Sequence, residues 1–320
     1  MTDVSVIVVN YGTADLSIIG VQSVLDRDHG GRPVEVHLLD NGSPGDDAAD
    51  FERAHTERGW GDRVILYPER TNHGFAGGNN IVLDALANRA TRPEFVFLLN
   101  PDAQLENEAI DILARTLEAE PQIGFAGAGV CKPDGVAVTA AFRFPNAAAE
   151  FAQSLSFGPI ARLLDRWTVP LPPDQPAGLV DWVVGAAVMM RWSALKEAGF
   201  FDPAYFLYYE EVDLMRQGRL AGHGCTYVPE ARVIHAEGVA TGVKSGVAQR
   251  KRKPGYWYQS WRTYYLKNHG VAGLALASVA VLTGSAGGLL LSLIPGRTTQ
   301  VPRGFFADFW AYVICHRTPQ

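Results

Sequence analysis

Near its N-terminus the chain reads Val4-Ser-Val-Ile-Val-Val-Asn-Tyr11, a β-branched apolar run that ends in polar residues. Runs of the same kind follow at 34–39, 64–67 and 95–99. Such runs are typical of strands, and strands that are apolar throughout suit a sheet covered on both faces. Helix-like segments at about 16–26, 46–58, 79–88 and 107–120 separate them, which predicts an α/β fold: an αβα sandwich around a mostly parallel sheet.

A second region begins near Val130 and contains an apolar run at 182–190, a helix at 193–198 and a strand at 224–228. We expect the globular body to end near residue 242. Its two halves are then 1–129 and 130–242, and residues 243–320 form a separate C-terminal region.

The composition is that of a globular protein, with 320 residues, 47% hydrophobic and 19% charged. Cys131, Cys225 and Cys315 are far apart and form no CxxC pair, which excludes a disulfide scaffold and a cysteine zinc site. No basic leader precedes the first apolar run, so we expect no secretory signal and a protein that stays in the cytosol.

Charge is distributed unevenly along the chain. From Lys244 to Gln320 there are ten Lys and Arg residues and one acid, Asp308, a net of +9, whereas the preceding 243 residues carry a net of −15. Residues 268–296 contain no charged side chain and are long enough to cross a bilayer. Bases and aromatics at 250–267 suit a membrane surface, while the acidic body would repel nucleic acid. Interfacial or re-entrant attachment, a true span and a buried hairpin remain open.

Polar residues follow each of the first four predicted strands, at the sheet edge where ligands bind in open α/β folds. They are Asn10-Tyr11-Gly12, Asp40-Asn41-Gly42, Asn72-His73-Gly74 and Asn100-Pro101-Asp102. Each alone is typical of a turn or helix cap, but the four together favour a ligand cleft. Neither GxxxxGK[ST] nor GxGxxG is present, which argues against a P-loop and a dinucleotide fold. The glycine-rich stretch 74–80 predicts close backbone approach to a ligand, with a helix starting near Asn79.

Two acidic features suit cation and proton chemistry. Asp102 can bind a divalent cation through one carboxylate while the ligand's phosphates complete the shell. Glu210, Glu211 and Asp213 are crowded among aromatics, which is costly unless cations or function offset the repulsion. An acidic helix N-terminus is the structural alternative. His235 follows an apolar strand and fits a metal ligand and a core histidine equally well.

Seven motifs resemble, in order, those of the family 2 inverting glycosyltransferases, and the likeness is greatest to the bacterial rhamnosyltransferase branch. They are Val4-Ser-Val-Ile-Val-Val-Asn-Tyr11, Leu39-Asp-Asn-Gly-Ser43, Asn72-His-Gly-Phe-Ala-Gly-Gly-Asn-Asn80, Leu98-Leu-Asn-Pro-Asp102, Asp181-Trp-Val-Val-Gly-Ala186, Phe201-Asp-Pro203 and Tyr209-Glu-Glu-Val-Asp-Leu214. The resemblance runs from residue 4 to about 238. It implies a GT-A fold and transfer of a sugar from a nucleoside diphosphate sugar with inversion at the anomeric carbon.

The resemblance also implies roles for matched positions. Asp40 would accept a hydrogen bond from the pyrimidine N3–H. The other residues on the nucleotide-sugar side would be Asn10, Tyr11, Asn72, Gly74, Gly77, Asn79 and Asn100. Asp102 would bind Mg²⁺ or Mn²⁺, with His235 completing the metal site, although Asn100 stands where the family has the first aspartate of its DxD motif.

Glu211 occupies the position of the family's catalytic base, which is usually Asp in a Glu-Asp pair. The Glu-Glu pair leaves Glu210 as an alternative, with Asp213 close by. Trp182 and Gly185 would lie on the acceptor side. In these terms residues 1–129 form the nucleotide-sugar half and 130–242 the acceptor and catalytic half.

The implied protein is a glycosyltransferase at the cytoplasmic face of the cell membrane, attached through residues 243–320. It would transfer L-rhamnose from dTDP-rhamnose to a lipid-linked or cell-envelope glycan. The alternatives are a UDP-sugar donor, namely GlcNAc, galactose or galactofuranose, and a binding module without activity. Asp102 together with the Glu210/Glu211 pair argues against a binding module. A nucleotidyltransferase would need a glycine-rich activation loop with Arg and Lys after the first strand, which is absent.

Overall fold

A computed structural model describes residues 3–236 and 250–318 of the chain. These residues form two compact units. The first contains the described residues up to Phe142, Leu171–Pro203 and 211–236, and the second contains Arg143–Pro170, Ala204–Glu210 and 250–318. The predicted boundary at residue 242 lies outside the described residues, and the division into 1–129 and 130–242 stays a prediction.

The helices and strands follow one another in this order: β1 (Val4–Asn10), α1 (Ala14–Leu25), β2 (Val34–Asn41), α2 (Asp47–Glu57), β3 (Val64–Glu69), α3 (Gly74–Ala87), β4 (Phe95–Leu99), β5 (Ala103–Leu105), α4 (Ala109–Ala119), β6 (Ile123–Cys131), β7 (Ala137–Val138), β8 (Ala141–Phe142), α5 (Ala147–Leu155), α6 (Gly158–Leu163), β9 (Gly178–Val180), β10 (Trp182–Val183), β11 (Ala187–Arg191), α7 (Trp192–Ala198), α8 (Glu210–Leu220), β12 (Gly224–His235), α9 (Gly255–Leu291) and α10 (Phe305–Phe309). A single π turn, Trp310–Ile314, follows α10.

The central sheet lies in the first unit and has the strand order β3-β2-β1-β4-β11-β6-β12-β5. β1 is parallel to β2 and β4, and β2 is parallel to β3, as the four apolar runs predict. β11 is antiparallel to both of its neighbours, β4 and β6. Two buried hydrophobic clusters cover the two faces of the sheet, and the αβα prediction is confirmed.

Helix α3 begins at Gly74, so the predicted start near Asn79 is wrong. The Asn72 Oδ1 atom accepts a hydrogen bond from the Gly74 N–H (2.8 Å), and Asn41 Oδ1 accepts one from the His73 N–H (3.0 Å). Side chains therefore satisfy the backbone donors at the start of the helix, where glycines would otherwise favour a loop. A Cβ at Gly78 would lie 2.8 Å from Val9 Cγ1, so the glycines also allow α3 to pack closely on β1.

The strands observed in the second region differ in extent from the apolar run at 182–190 and from the strand predicted at 224–228. The apolar run 182–190 forms two strands, β10 and β11, with 184–186 between them. The strand predicted at 224–228 continues to His235 as β12, because an irregularity between Val228 and Arg232 restores its pairing with β6. This extension carries His235 to the edge of the sheet beside β5, where His235 is in register with Ala103.

In the second unit α9 doubles back on itself at Gly270, which has φ 67° and ψ −173°. On one side of this break, Trp261 Nε1 donates to Glu150 Oε1 (3.0 Å), and on the other a Cβ at Gly284 would meet the Phe151 carbonyl oxygen (2.7 Å). Both partners lie in α5, which is only nine residues long, or about 13 Å. A straight helix would separate 261 from 284 by about 35 Å, so the helix must form a hairpin.

The two ends of this hairpin also meet. Arg250, which precedes α9, donates from Nε to the Val301 carbonyl oxygen (2.8 Å), which follows it. Arg252 pairs with Asp308, the one acid of the basic tail, with its Nε atom 2.8 Å from Asp308 Oδ2. In the described chain, α9 is the one helix that is long and apolar enough to span a membrane. Its most apolar 18-residue stretch has a mean hydropathy of 1.9.

Replacing Gly284 by Ala is expected to lower the thermal unfolding midpoint, whereas replacing Gly287 by Ala is not. Both changes add helix propensity of about 0.5–1 kcal/mol. A Cβ at Gly284 would be 2.7 Å from the Phe151 backbone oxygen, and overpacking of this kind costs about 1–3 kcal/mol. A Cβ at Gly287 would meet only Leu155 Cδ1, the movable end of a side chain. Thermal unfolding of the full chain in detergent tests this, and equal midpoints for the two variants would contradict close packing of α5 on α9.

Candidate active site

Asn10 is the centre of a buried polar network at the end of β1. Its Nδ2 atom lies within hydrogen-bond distance of Asp40 Oδ1 (3.3 Å), Ser43 Oγ (3.2 Å) and Asp47 Oδ2 (2.9 Å). Its Oδ1 atom accepts a hydrogen bond from Ser17 Oγ (2.9 Å). Since Asn10 is fully buried, its side chain holds the neighbouring segment that carries Asp40. Sequence reasoning singled out Asn10 and Asp40 but not Ser43 and Asp47, which join the same network.

Asp40 presents one carboxylate oxygen for a ligand. In the described chain its hydrogen bonds with Asn10 and with the Ser43 hydroxyl and N–H all go to Oδ1, which leaves Oδ2 available. A cavity of about 20 Å³ lies beside it. Apart from Asp40 and Glu52, the lining is apolar or aromatic: Leu38, Ala48, Phe51, Leu66, Tyr67 and Pro68. Tyr11, predicted on the same side, is 44% exposed just after β1.

Asn41 ties the segment after β2 to the start of α3. Its Nδ2 atom donates to the Gly74 carbonyl oxygen (3.0 Å) and to Asn72 Oδ1 (3.2 Å). Gly42 has φ 68°, and a Cβ there would lie 2.6 Å from the Thr71 carbonyl carbon, so only glycine fits. The predicted residues Asn72 and Gly74 therefore stand next to the segment that carries Asp40. Asn41 lies inside a quoted motif, yet its holding role follows only from these contacts.

The other two predicted residues of this stretch lie inside α3. Asn79 is buried and donates from Nδ2 to the Phe75 carbonyl oxygen (2.9 Å) one turn earlier. A Cβ at Gly77 would be 2.8 Å from His73 Cβ, so this position is closely packed. Their assignment to the nucleotide-sugar side stays a prediction.

The structure brings together Asp102 and His235, which are 133 positions apart in the sequence. His235 Nε2 lies 2.8 Å from Asp102 Oδ1. Asn100 Nδ2 is 3.4 Å from the same imidazole nitrogen. The pairing of β5 with β12 places the two segments side by side, and the Ala236 N–H donates to the Asp102 carbonyl oxygen (3.0 Å).

This pair suits a divalent cation that is shared with a ligand. Asp102 supplies a carboxylate oxygen and His235 an imidazole nitrogen, both of which Mn²⁺ accepts, and Mg²⁺ is usually held by one or two carboxylates plus substrate phosphates. Within 3–236 and 250–318 no group of three His, Cys, Asp or Glu side chains is placed to hold a metal ion. A cation here would therefore depend on a diphosphate and water for most of its shell.

Glu211 combines an enclosed carboxylate with one unused oxygen. The N–H groups of Glu211 and Gly185 hydrogen-bond to the carboxylate, and burial nevertheless raises its pKa above the ordinary value. Its Oε2 atom is shielded from solvent and has no hydrogen-bond partner in the part of the chain that the structure describes. Buried polar atoms are nearly always satisfied, so this oxygen is placed to accept a hydrogen bond from a water molecule or a ligand.

The segment 185–186 connects the predicted base to the predicted cation site. The Gly185 N–H contacts the Glu211 carboxylate, and the next carbonyl oxygen, that of Ala186, accepts a hydrogen bond from the Asn100 N–H (2.9 Å). A Cβ at Gly185 would also lie 3.8 Å from Phe75 Cζ, at the start of α3. Phe75, Gly185, Asn100 and Glu211 thus surround one region of the first unit. Phe75 was not among the predicted residues, because an aromatic side chain after a glycine carries no chemical signal of its own.

The remaining predicted residues have other surroundings. Glu210 is the first residue of α8 and belongs to the second unit. Asp213 is buried, and its Oδ1 atom accepts a hydrogen bond from Gln217 Nε2 (3.2 Å). Trp182 stacks on Phe142 with the ring centroids 4.1 Å apart. Their catalytic and acceptor roles stay predictions.

Comparison with known proteins decides the family. The sequence model of glycosyl transferase family 2 matches residues 5–167, just over half of the chain. The chain belongs to glycosyl transferase family 2. This family 2 enzyme is rhamnosyltransferase-like: it is 31% identical over 224 residues to the N-acetylglucosaminyl-diphospho-decaprenol L-rhamnosyltransferase of Mycobacterium tuberculosis, covering 66% of this chain and 69% of the relative. It is 25% identical over 168 residues to the rhamnosyltransferase WbbL of Escherichia coli, covering 51% of this chain and 61% of that one.

Solved structures confirm the GT-A fold of this family 2 glycosyltransferase. A mannosyltransferase from Pyrobaculum calidifontis, in complex with GDP-Man and Mn²⁺, superposes with a TM-score of 0.51 at 17% identity, covering 98% of this chain and 85% of that one. GalNAc-T7, with UDP, GalNAc and Mn²⁺, superposes with a TM-score of 0.58 at 12% identity, covering 99% of this chain and 58% of that one.

Proposed function

We propose that this glycosyltransferase transfers L-rhamnose from dTDP-rhamnose, with inversion, to a hydroxyl group of a lipid-linked acceptor. The enclosed, unpartnered Oε2 atom of Glu211 carries the proposal, since a base needs one oxygen free to receive a proton. The rhamnosyl donor and the lipid-linked acceptor are supported by the names of the mycobacterial and Escherichia coli relatives.

In the proposed reaction Glu211 takes the proton of the acceptor hydroxyl as its oxygen attacks the anomeric carbon of the donor. The new glycosidic bond forms on the face opposite the bond to the diphosphate oxygen, which breaks and leaves dTDP. One displacement inverts the anomeric configuration. Asp102 and His235 would hold a divalent cation, Mg²⁺ or Mn²⁺, whose contribution is to offset negative charge on the departing diphosphate.

The cavity beside Asp40 predicts a preference for dTDP over dUDP, which lacks only the 5-methyl group of thymine. Burying a methyl group contributes about 0.8 kcal/mol, or about fourfold in Kd. Ala48 lines the cavity, and Ala48→Leu is expected to fill it and remove the preference while leaving dUDP binding unchanged. Calorimetric titration of both nucleotides into both proteins tests this, and equal affinities in the unsubstituted protein would count against a thymine donor.

Turnover of a donor panel tests the function itself. We expect transfer from dTDP-rhamnose to a short-chain N-acetylglucosaminyl-diphospho-prenol, with the product anomer inverted by NMR. Turnover of UDP-GlcNAc, UDP-galactose or UDP-galactofuranose without turnover of dTDP-rhamnose would establish the alternative donor class. Binding of dTDP-rhamnose without any transfer would instead identify a binding module.

Attachment to the membrane through the α9 hairpin completes the proposal, with the catalytic unit at the cytoplasmic face. The hydrogen bond between Arg250 and Val301 brings the chain before and after α9 together, which a single span would not allow. Several large apolar side chains of the hairpin are exposed, which distinguishes it from a buried one: Val271, Leu276, Val279, Leu290, Leu293 and Ile294. Exposed apolar surface flanked by basic residues fits insertion into an anionic lipid surface.

Replacing Leu276, Leu290 and Leu293 together by Asn is expected to reduce binding to anionic liposomes by more than about 100-fold, since each Leu contributes about 1.5–3 kcal/mol when buried in lipid. These side chains are 63–78% exposed, so folding should be unaffected. The matched control replaces Leu179 and Leu220, which are each 73% exposed in the first unit. Liposome flotation measures the effect, and an equal loss in both variants would contradict attachment through the hairpin.

A further inference from the structure

A cavity of about 480 Å³ lies in the second unit, formed by α5, the start and second half of α9, and residues around 300. Its volume is within the range of small-molecule sites. Neither Glu211 nor Asp102 lines it, so the proposed transfer chemistry does not account for it. The side chains that matter for its chemistry are Glu150, Ser154, Tyr209, Lys253, Trp257 and Ser285.

Lys253 places a cation in this cavity. Its Nζ atom lies 3.2 Å from the centroid of the Trp257 ring, which holds the ammonium group through a cation–π contact. Burial lowers the pKa of Lys253 to about 8, so the side chain is still mostly charged at neutral pH. In residues 3–236 and 250–318 it makes no ion pair with a carboxylate, which leaves its N–H donors for a ligand.

Glu150 does not neutralise this cation by direct pairing. Its Oε1 atom accepts hydrogen bonds from Trp261 Nε1 (3.0 Å) and from the Tyr265 hydroxyl (2.9 Å). Burial raises the pKa of Glu150, while the nearby Lys253 ammonium opposes this shift. Glu150 therefore attaches α5 to α9 through Oε1, and the same cavity is lined by Lys253 and by the hydroxyl-bearing residues Ser154, Tyr209 and Ser285.

We propose that this cavity binds the phosphate group of an amphiphilic lipid, with Lys253 as the charged contact and neighbouring hydroxyl groups as further donors. An ammonium group and hydroxyl groups that line one cavity can together donate hydrogen bonds to phosphate oxygens. Val281, from the apolar half of α9, lines the same cavity and offers contact to a hydrocarbon chain. The phosphate can belong to the lipid-linked acceptor, in which case the inference rests on the proposed function, or to an anionic phospholipid.

The test uses the full chain in neutral phosphatidylcholine nanodiscs, which are titrated with farnesyl phosphate or with inorganic phosphate. In a third arm phosphatidylglycerol replaces part of the phosphatidylcholine. Lys253→Met is expected to weaken the binding of lipid phosphate by about 10- to 100-fold, because hydrogen bonds to a charged group are lost. Lys253→Arg keeps the positive charge and should retain most of the affinity for lipid phosphate. The matched control is Lys251→Met, which removes an exposed cation two residues away.

Thermal unfolding separates a binding role from a structural one. Lys253→Met removes the cation–π contact with Trp257 but also a charge that burial disfavours, so the unliganded variant should be about as stable as the parent, whereas loss of a structural contact would destabilise it. Ser285→Leu, which fills the cavity without changing its charge, should also abolish binding. An unchanged or higher unfolding midpoint in Lys253→Met, together with loss of lipid-phosphate binding in Ser285→Leu, supports a binding site in this cavity.

Selective binding of farnesyl phosphate would identify the acceptor as the source, and binding of phosphatidylglycerol would identify a membrane headgroup. Inorganic phosphate binding alone, or equal losses in Lys253→Met and Lys251→Met, would overturn the proposal. Binding of dTDP-rhamnose is measured in the same proteins, and its absence would count against the proposed function and not against the cavity.

Discussion

Replacing Glu211 by Gln is expected to lower rhamnosyl transfer by about 10²–10⁴-fold, the loss typical of a missing general base, while dTDP-rhamnose binding stays unchanged. Gln preserves the size and most of the hydrogen bonding of Glu211 but cannot accept a proton. Single-turnover transfer and calorimetric donor binding measure the two effects separately. Glu211→Asp restores a carboxylate on a shorter arm and should recover part of the lost rate.

The pH dependence provides a second readout for Glu211. Because burial raises the pKa of this carboxyl, the base is protonated and inactive at acid pH, and transfer rises with pH until the proton is lost. The residual rate of Glu211→Gln should lack this rise. Near-normal transfer in Glu211→Gln, with loss in Glu210→Gln or Asp213→Asn, would mean that the base is one of those neighbours. If all three variants stay active, the acidic cluster is only a helix N-terminus.

The second large effect is expected for Asp102→Asn, which should weaken both donor binding and transfer. A cation bridging protein and diphosphate contributes several kcal/mol of charge stabilisation, so we expect a loss of at least about 100-fold in transfer. His235 remains beside the substituted side chain, so a partial response to high Mn²⁺ concentration is expected.

Donor binding measured with and without a divalent cation distinguishes Asp102 from Glu211. In the unsubstituted protein, EDTA should weaken dTDP-rhamnose binding, and in Asp102→Asn it should have little further effect. Asp134→Asn, which changes an exposed carboxylate, is the matched control and should behave like the unsubstituted protein. Donor binding that does not respond to EDTA in any variant would contradict a role for Asp102 in cation binding.

Local pattern was enough to predict the first half of the sheet. β1 to β4 are short, β-branched and bounded by turn residues, and these features depend only on neighbours in the sequence. The placing of Asp40 and Asn100 at strand ends follows from the same pattern. The position of β11 in the sheet does not, because the sequence of a five-residue strand carries no information about which strands it will pair with.

Contacts between distant segments account for what sequence reasoning missed. The start of α3 at Gly74 depends on the side chain of Asn41, 33 positions away, which accepts and donates hydrogen bonds at that point. The hairpin in α9 turns at Gly270, and not at Gly284, Gly287 or Gly288, three other glycines of the same apolar stretch. A Cβ at any of those three glycines would meet atoms of α5, so their small size allows the two helices to pack closely.

The closed base of the α9 hairpin affects how the protein would reach a membrane under the proposed attachment. Because Arg250 and Val301 are hydrogen-bonded, a hairpin inserted in a bilayer would keep the basic segments before and after the apolar stretch on one side of it. No charged flank would have to cross the bilayer, and the hairpin would insert after completion of the chain without a dedicated translocation channel. We therefore expect attachment that is reversible and that added salt weakens. The fraction of enzyme bound to the membrane should then rise with the content of anionic lipid.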